Sequence, residues 1–240
     1  MAGMTSRAPL SALIVSHGQP SDPAPAAAEM AFVAAKVQAL MPEARVMAAT
    51  LAEEGALERA VAVLGPTVRV YPMFMAQGWF TRTHLPERLA AAGAPGARVL
   101  APFGLDEAVQ ALAVTVAREA AARLGRVPAD LPVLLAAHGS FKSPAPAEVA
   151  EAVAARLRRD GGFARVEAAF IDQSPRIVDA ATTFPEGALV LPFFAARGGH
   201  VVEDLPQALT EAGFRGTVLP PLGLDPRVPG LIRRALRAAG

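Results

Sequence analysis

LIVSHGQPSDPAP (Leu13–Pro25) returns as LLAAHGSFKSPAP (Leu134–Pro146), an offset of 121 residues from His17 to His138. Two further stretches repeat behind it in the same order. VYPMFMAQGWFTRTHLPERL (Val70–Leu89) lies over VLPFFAARGGHVVEDLPQAL (Val190–Leu209) at an offset of 120, and LAPFGLDEAV (Leu100–Val109) over LPPLGLDPRV (Leu219–Val228) at 119. Three landmarks at near-constant spacing mark a duplicated unit of about 120 residues. The sequence therefore divides into two halves, 1–126 and 127–240, joined through LGRVPADLP (Leu124–Pro132), where glycine and two prolines end a helix.

Each half alternates short apolar runs with Ala-, Glu- and Arg-rich segments. Strands are predicted at 10–15, 45–50, 67–72 and 97–101, then at 132–137, 164–171, 188–192 and 216–219. Helices are predicted at 26–40, 53–63, 81–92 and 105–124, then at 145–159, 174–182, 200–212 and 226–238. Strands that are apolar throughout, rather than alternately, belong to sheets covered on both faces. A β-α-β-α order gives parallel strands with right-handed crossovers. The expected fold is α/β: two tandem, similar three-layer domains, each with a four-stranded parallel sheet.

Composition narrows the function. Hydrophobic residues make up 52% of the 240, yet aromatics only 5%, which suits helices packed closely on sheets through small side chains. Lys+Arg 23 against Asp+Glu 22 leaves no bulk field to recruit nucleic acid or a membrane surface. The absence of cysteine removes disulfides, thiolate metal sites and a Cys nucleophile, so any metal ligand must be His or carboxylate. No apolar run reaches the ~18 residues of a membrane span. A cytoplasmic protein is expected, with no nucleic-acid or membrane partner.

The histidines carry the chemistry. Ligands of open parallel sheets bind beyond the carboxyl ends of the strands. His17 and His138 each follow the first strand of their half, and His200 follows the third strand of the second. Within VEAAFIDQSP (Val166–Pro175) the strand ends at Asp172, at the same rim. His138, Asp172 and His200 then make an open two-imidazole, one-carboxylate site for a divalent first-row metal. Asp204 stands four residues after His200, on the same face of a helix starting near Gly199, where it can orient the imidazole or take up a proton. Helix N-capping is the structural alternative for Asp172, and service to a helix dipole the alternative for Glu203 and Asp204.

The openings LIVSHG and LLAAHGS and the segment LPFFAARGGHVVEDLP resemble the class II chelatases of the CbiX/SirB type, which insert Co²⁺ or Fe²⁺ into sirohydrochlorin. The resemblance spans essentially the whole chain and implies two parallel α/β domains. It implies catalytic roles for His138, His200 and His17, and a metal site of His138, His200 and Asp172. The metal is then a substrate (Co²⁺ or Fe²⁺), with no permanently bound cofactor, and the other partner is a polycarboxylate tetrapyrrole such as sirohydrochlorin. Arg197, Arg82 and Lys142, with Arg176, stand at predicted rims to meet its carboxylates.

The first half departs from the pattern. Phe80 stands where the second histidine would be, and Ala52 where the carboxylate would be. The resemblance implies a site in the first half, where two-domain members usually hold it, whereas here only the second half is intact. His84 occupies the repeat position of Asp204 and can share a helix face with Phe80. The tandem repeat supplies both units in one chain, so a monomer is expected. A non-catalytic tetrapyrrole- or metal-binding paralogue is the alternative, favoured by the aromatic pair Trp79 and Phe80. A histidine phosphatase is disfavoured, because Ser16 and Ala137, not arginine, precede the two His-Gly pairs.

Overall fold

The computed structural model describes residues 9–239. It contains two separate sheets of four parallel strands each, the α/β class the sequence implies. The first is built from β1 (Ser11–Ser16), β2 (Arg45–Thr50), β3 (Arg69–Pro72) and β4 (Arg98–Val99), in the order β2-β1-β3-β4. The second is built from β5 (Val133–Ala137), β6 (Val166–Phe170), β7 (Leu189–Pro192) and β8 (Thr217–Val218), in the order β6-β5-β7-β8. Every strand falls inside or within one residue of its predicted run. The central strands β5 and β7 are buried along their whole length, as expected of strands covered on both faces.

The helices are α1 (Pro23–Leu40), α2 (Ala56–Leu64), α3 (Leu85–Ala91), α4 (Glu107–Arg123), α5 (Ala145–Gly161), α6 (Ile177–Ala181), α7 (Leu205–Glu211) and α8 (Val228–Ala238). Their buried faces follow helical spacing, as in Met30, Val33, Ala34 and Val37 of α1 and Val149, Val153 and Leu157 of α5. The repeated GLD motif supplies a helix start. Asp106 accepts from the Ala108 N–H at 2.9 Å to cap α4, and Asp225 accepts from the Arg227 N–H at 2.9 Å ahead of α8.

Two predicted helices change character at their N-termini. The spans 81–92 and 200–212 are not continuous α-helix: each opens with a π-turn, Phe80–His84 and His200–Asp204, before α3 and α7 begin. In the second, the Leu205 N–H reaches the His200 carbonyl, five residues back. Pro86 and Pro206 explain the change. Proline has no N–H for a bond to residue i−4, and its ring clashes with that carbonyl, so the turn before it widens. The helix predicted over 174–182 begins only at Ile177, because Ser174 and Pro175 remain in a bend.

Compactness divides the chain differently from the sequence repeat. One unit holds the first sheet, α1–α3 and the C-terminal segment from Pro229; the other holds Met73–Phe80 and Ala101–Val228. Thus α8 packs with the first sheet, where Arg69 and Arg98 donate to the Leu236 and Ala239 carbonyls at 2.6 and 2.5 Å. Helix α4 packs with the second, where it lies beside α5 and Arg156 donates to the Glu107 carbonyl at 3.2 Å. Each sheet carries the last helix of the other half's sequence.

Candidate active site

In a β6-β5-β7-β8 sheet the strand order reverses between β5 and β7, and the crevice at their carboxyl ends is the expected ligand site. His138 directly follows β5, and His200 follows β7 after a loop of seven residues. The two rings come together with centroids 4.2 Å apart and planes perpendicular.

The turn that holds His138 depends on its glycine. Gly139 has φ +74°, and a Cβ there would lie 2.7–2.9 Å from Gln173 and Phe170. Only glycine meets both conditions. The chain then runs close enough to the end of β6 for the Asp172 N–H to donate to the His138 carbonyl at 2.9 Å. Gln173 completes the brace, its Oε1 accepting from the Ser140 N–H at 2.7 Å. Sequence reading missed Gln173; its partner lies 33 residues away and no spacing rule connects them.

Both rings have Nδ1 engaged by acceptors. His138 Nδ1 lies 2.9 Å from the Gly139 carbonyl and 3.4 Å from Asp172 Oδ2. His200 Nδ1 lies 2.6 Å from Asp204 Oδ2. Carbonyl and carboxylate oxygens can only accept, so in the neutral rings Nδ1 carries the proton and Nε2 carries the lone pair. His200 is exposed and His138 half-buried, so both rings can be reached from solvent. A cavity of about 330 Å³ opens beside His200, with Asp172, Arg176, Asp204 and Glu211 also in its wall.

The remaining site candidates fall as follows. Asp172 is not the N-cap of α6, whose first turn starts five residues later; its side chain meets His138 from the Nδ1 side. Among the described residues, no group of three or more His, Cys, Asp or Glu side chains is arranged to hold a metal by itself. Arg197 and Lys142 are exposed on the loops that follow β7 and β5, and Arg176 borders the cavity. Arg82 is exposed in the π-turn of the first half.

The first half keeps the scaffold without the pair. His17 is half-buried after β1, its Nδ1 3.0 Å from the Gly18 carbonyl, and the Ala52 N–H donates to the His17 carbonyl at 2.9 Å. These bonds reproduce those of His138 and Asp172. Phe80 instead belongs to an aromatic patch, 6.3 Å from Phe74 and 5.1 Å from Trp79 between ring centroids.

Comparison with known proteins gives the context. The CbiX family model matches residues 132–239, the half that holds the paired histidines. A solved structure of CbiX, described as the terminal enzyme for biosynthesis of siroheme in denitrifying bacteria, is 48% identical. It covers 96% of this chain and 99% of that one, with a TM-score of 0.89. SirB from Bacillus subtilis with Fe³⁺ shares the fold at 18% identity and a TM-score of 0.74, covering 95% and 94%. The sirohydrochlorin chelatase SirB of Bacillus subtilis subspecies spizizenii in complex with cobalt does so at 18% and 0.67, over the same shares. Among curated proteins none matches. With nearly half its residues shared with CbiX along almost the entire length of both chains, this chain belongs to the CbiX family.

Proposed function

We propose that the protein inserts a divalent metal, cobalt or iron, into sirohydrochlorin or a closely related tetrapyrrole, and that the second half performs the reaction. The observation that carries this reading is the His138–His200 pair: two perpendicular imidazoles, 4.2 Å apart, at the switch point of a parallel sheet. The 48% identity to an enzyme of siroheme biosynthesis supplies the substrate class, and iron and cobalt are the metals named with the SirB structures.

Metallation requires a metal to pass to the macrocycle nitrogens while two pyrrole protons leave. A neutral imidazole nitrogen can serve either need, as a ligand or as a proton acceptor. Two protein nitrogens hold a first-row ion firmly enough to position it and loosely enough to release it to four pyrrole nitrogens. Asp172, 3.4 Å from His138 Nδ1, offsets the charge of the arriving cation. Arg197, Lys142 and Arg176 meet the carboxylates of the macrocycle. The protein works as a monomer in the cytoplasm. No helix among the described residues is long and apolar enough to cross a membrane.

A second reading rests on the aromatic patch. Trp79 is 59% exposed and Phe80 37%, and such a pair can stack on a macrocycle without chemistry, as in a carrier. An absorbance time course separates the two. Excess sirohydrochlorin and Co²⁺ or Fe²⁺ should be metallated over many turnovers per protein; a single stoichiometric spectral change would mean a carrier.

A further inference from the structure

We infer that Asp204 is a positioning residue: by accepting a hydrogen bond from His200 Nδ1 it fixes that ring as the Nδ1–H tautomer and presents the Nε2 lone pair to metal and macrocycle. The inference rests on the reading of His138 and His200 as the metal-handling pair and adds a residue to it. The contact is short, 2.6 Å, and joins residues four apart across the π-turn.

Two observations separate this role from a structural one. Asp204 stands at the N-terminus of α7, the natural place for a capping aspartate, yet its side chain makes no capping bond to the helix. Nor does the π-turn need the pair. The same five-residue turn forms at Phe80–His84, where phenylalanine and histidine occupy the corresponding positions. The His–Asp pair is thus confined to the half that keeps both rim histidines, and the turn that carries it forms without it.

His138 and His200 are held differently. The Gly139 carbonyl, 2.9 Å from His138 Nδ1, belongs to the backbone and fixes that tautomer whatever stands at Asp172. For His200 the acceptor on Nδ1 is the Asp204 side chain, so a single substitution can release the ring. An imidazole released to water favours the opposite tautomer, with the proton on Nε2. Its lone pair then lies on Nδ1, and Nε2 can bind a metal only after its proton moves to Nδ1.

Imidazole ¹⁵N NMR tests this directly, because the chain has only four histidines. In the wild-type protein, His200 should show a protonated Nδ1 and an unprotonated Nε2. Asp204→Ala should reverse the pattern at His200, while Asp172→Ala leaves His138 unchanged. Asp204→Asn, whose amide oxygen can still accept, should keep the wild-type tautomer. Co²⁺ affinity, measured by titration without tetrapyrrole, should fall about 10–100-fold in Asp204→Ala and largely recover in Asp204→Asn. Should the alanine variant fail to fold, Asp204→Ser, too short to reach the ring, takes its place. An unchanged His200 tautomer in the alanine or serine variant overturns the inference. Absence of turnover with sirohydrochlorin overturns the proposed reaction instead, and leaves the tautomer result standing.

Discussion

At the scale of the residue, the two halves offer a controlled comparison. His17 and His138 sit in matching turns, with the same glycine φ of 74° and the same Nδ1 contact to the next carbonyl. What differs is the company: His138 has His200 at 4.2 Å, whereas position 80 is a phenylalanine stacked with Phe74. If the second half does the chemistry, His200→Ala should lower the initial metallation rate by about 10²-fold or more, the range of a lost acid–base group. The melting temperature should hardly move, because the ring is exposed. His17→Ala should cost far less. Rates and melts measured side by side decide the point: an inactive His17 variant beside a near-wild-type His200 variant would place the reaction in the first half.

At the scale of the element, the start of α8 is held by one guanidinium. Arg227 makes a two-pronged contact with Glu119 of α4, at 2.6 and 2.9 Å, and also bonds both oxygens of Asp225 at 2.8 Å. Glu119 is held below the usual carboxylate range by its hydrogen bonds to Arg227. Burial of Asp225 works against its charge, but the bonds from Arg227 outweigh it and its pKa is also lowered. Carboxyls depressed on folding stabilise the protein fully above their unfolded values, near 4, and lose that contribution as pH falls through the folded ones. Arg227→Gln should therefore cost about 1 kcal/mol at neutral pH, the scale of a solvent-screened pair. The difference from wild type should shrink below about pH 4. Urea unfolding of both proteins from pH 7 to 3 measures it; a gap that widens toward acid would contradict the assignment.

At the scale of the molecule, the exchanged terminal helices tie the fate of each sheet to the other half's sequence. Helix α4 buries Val109, Leu112, Ala113 and Ala117 within the second unit, and α8 buries Ile232 and Leu236 within the first. A fragment 127–240 would retain its sheet but lose α4, leaving apolar surface on α5 uncovered. At about 25 cal/mol per Å² that loss is a large fraction of a small domain's stability. Each half expressed alone should therefore not yield a cooperatively folded monomer. It should either remain molten or associate, with the spare terminal helix of one copy covering the bare face of another. Light scattering and thermal unfolding of the fragments check this, and a monomeric, sharply melting half would refute it. We propose 1–126 and 127–240 as the units that were duplicated.

Much of this was legible in the chain. Period and repeat gave the eight strands to within a few residues, because fully buried strands must be apolar throughout and the repeat supplied each half as a check on the other. The rim histidines were legible because a strand followed by His-Gly has one geometry, dictated by the positive φ that only glycine takes easily. The four-residue spacing of His200 and Asp204 already implied a shared face. Three features required the tertiary structure. The widening of the helix starts into π-turns depended on how the prolines at 86 and 206 met the preceding carbonyls. The bracing of the His138 turn by Gln173 joined residues that no local rule links. The exchange of α4 and α8 could not be read at all, because a repeat reports what a helix is made of, and its amphipathic face fits either sheet; only packing decides which one it covers.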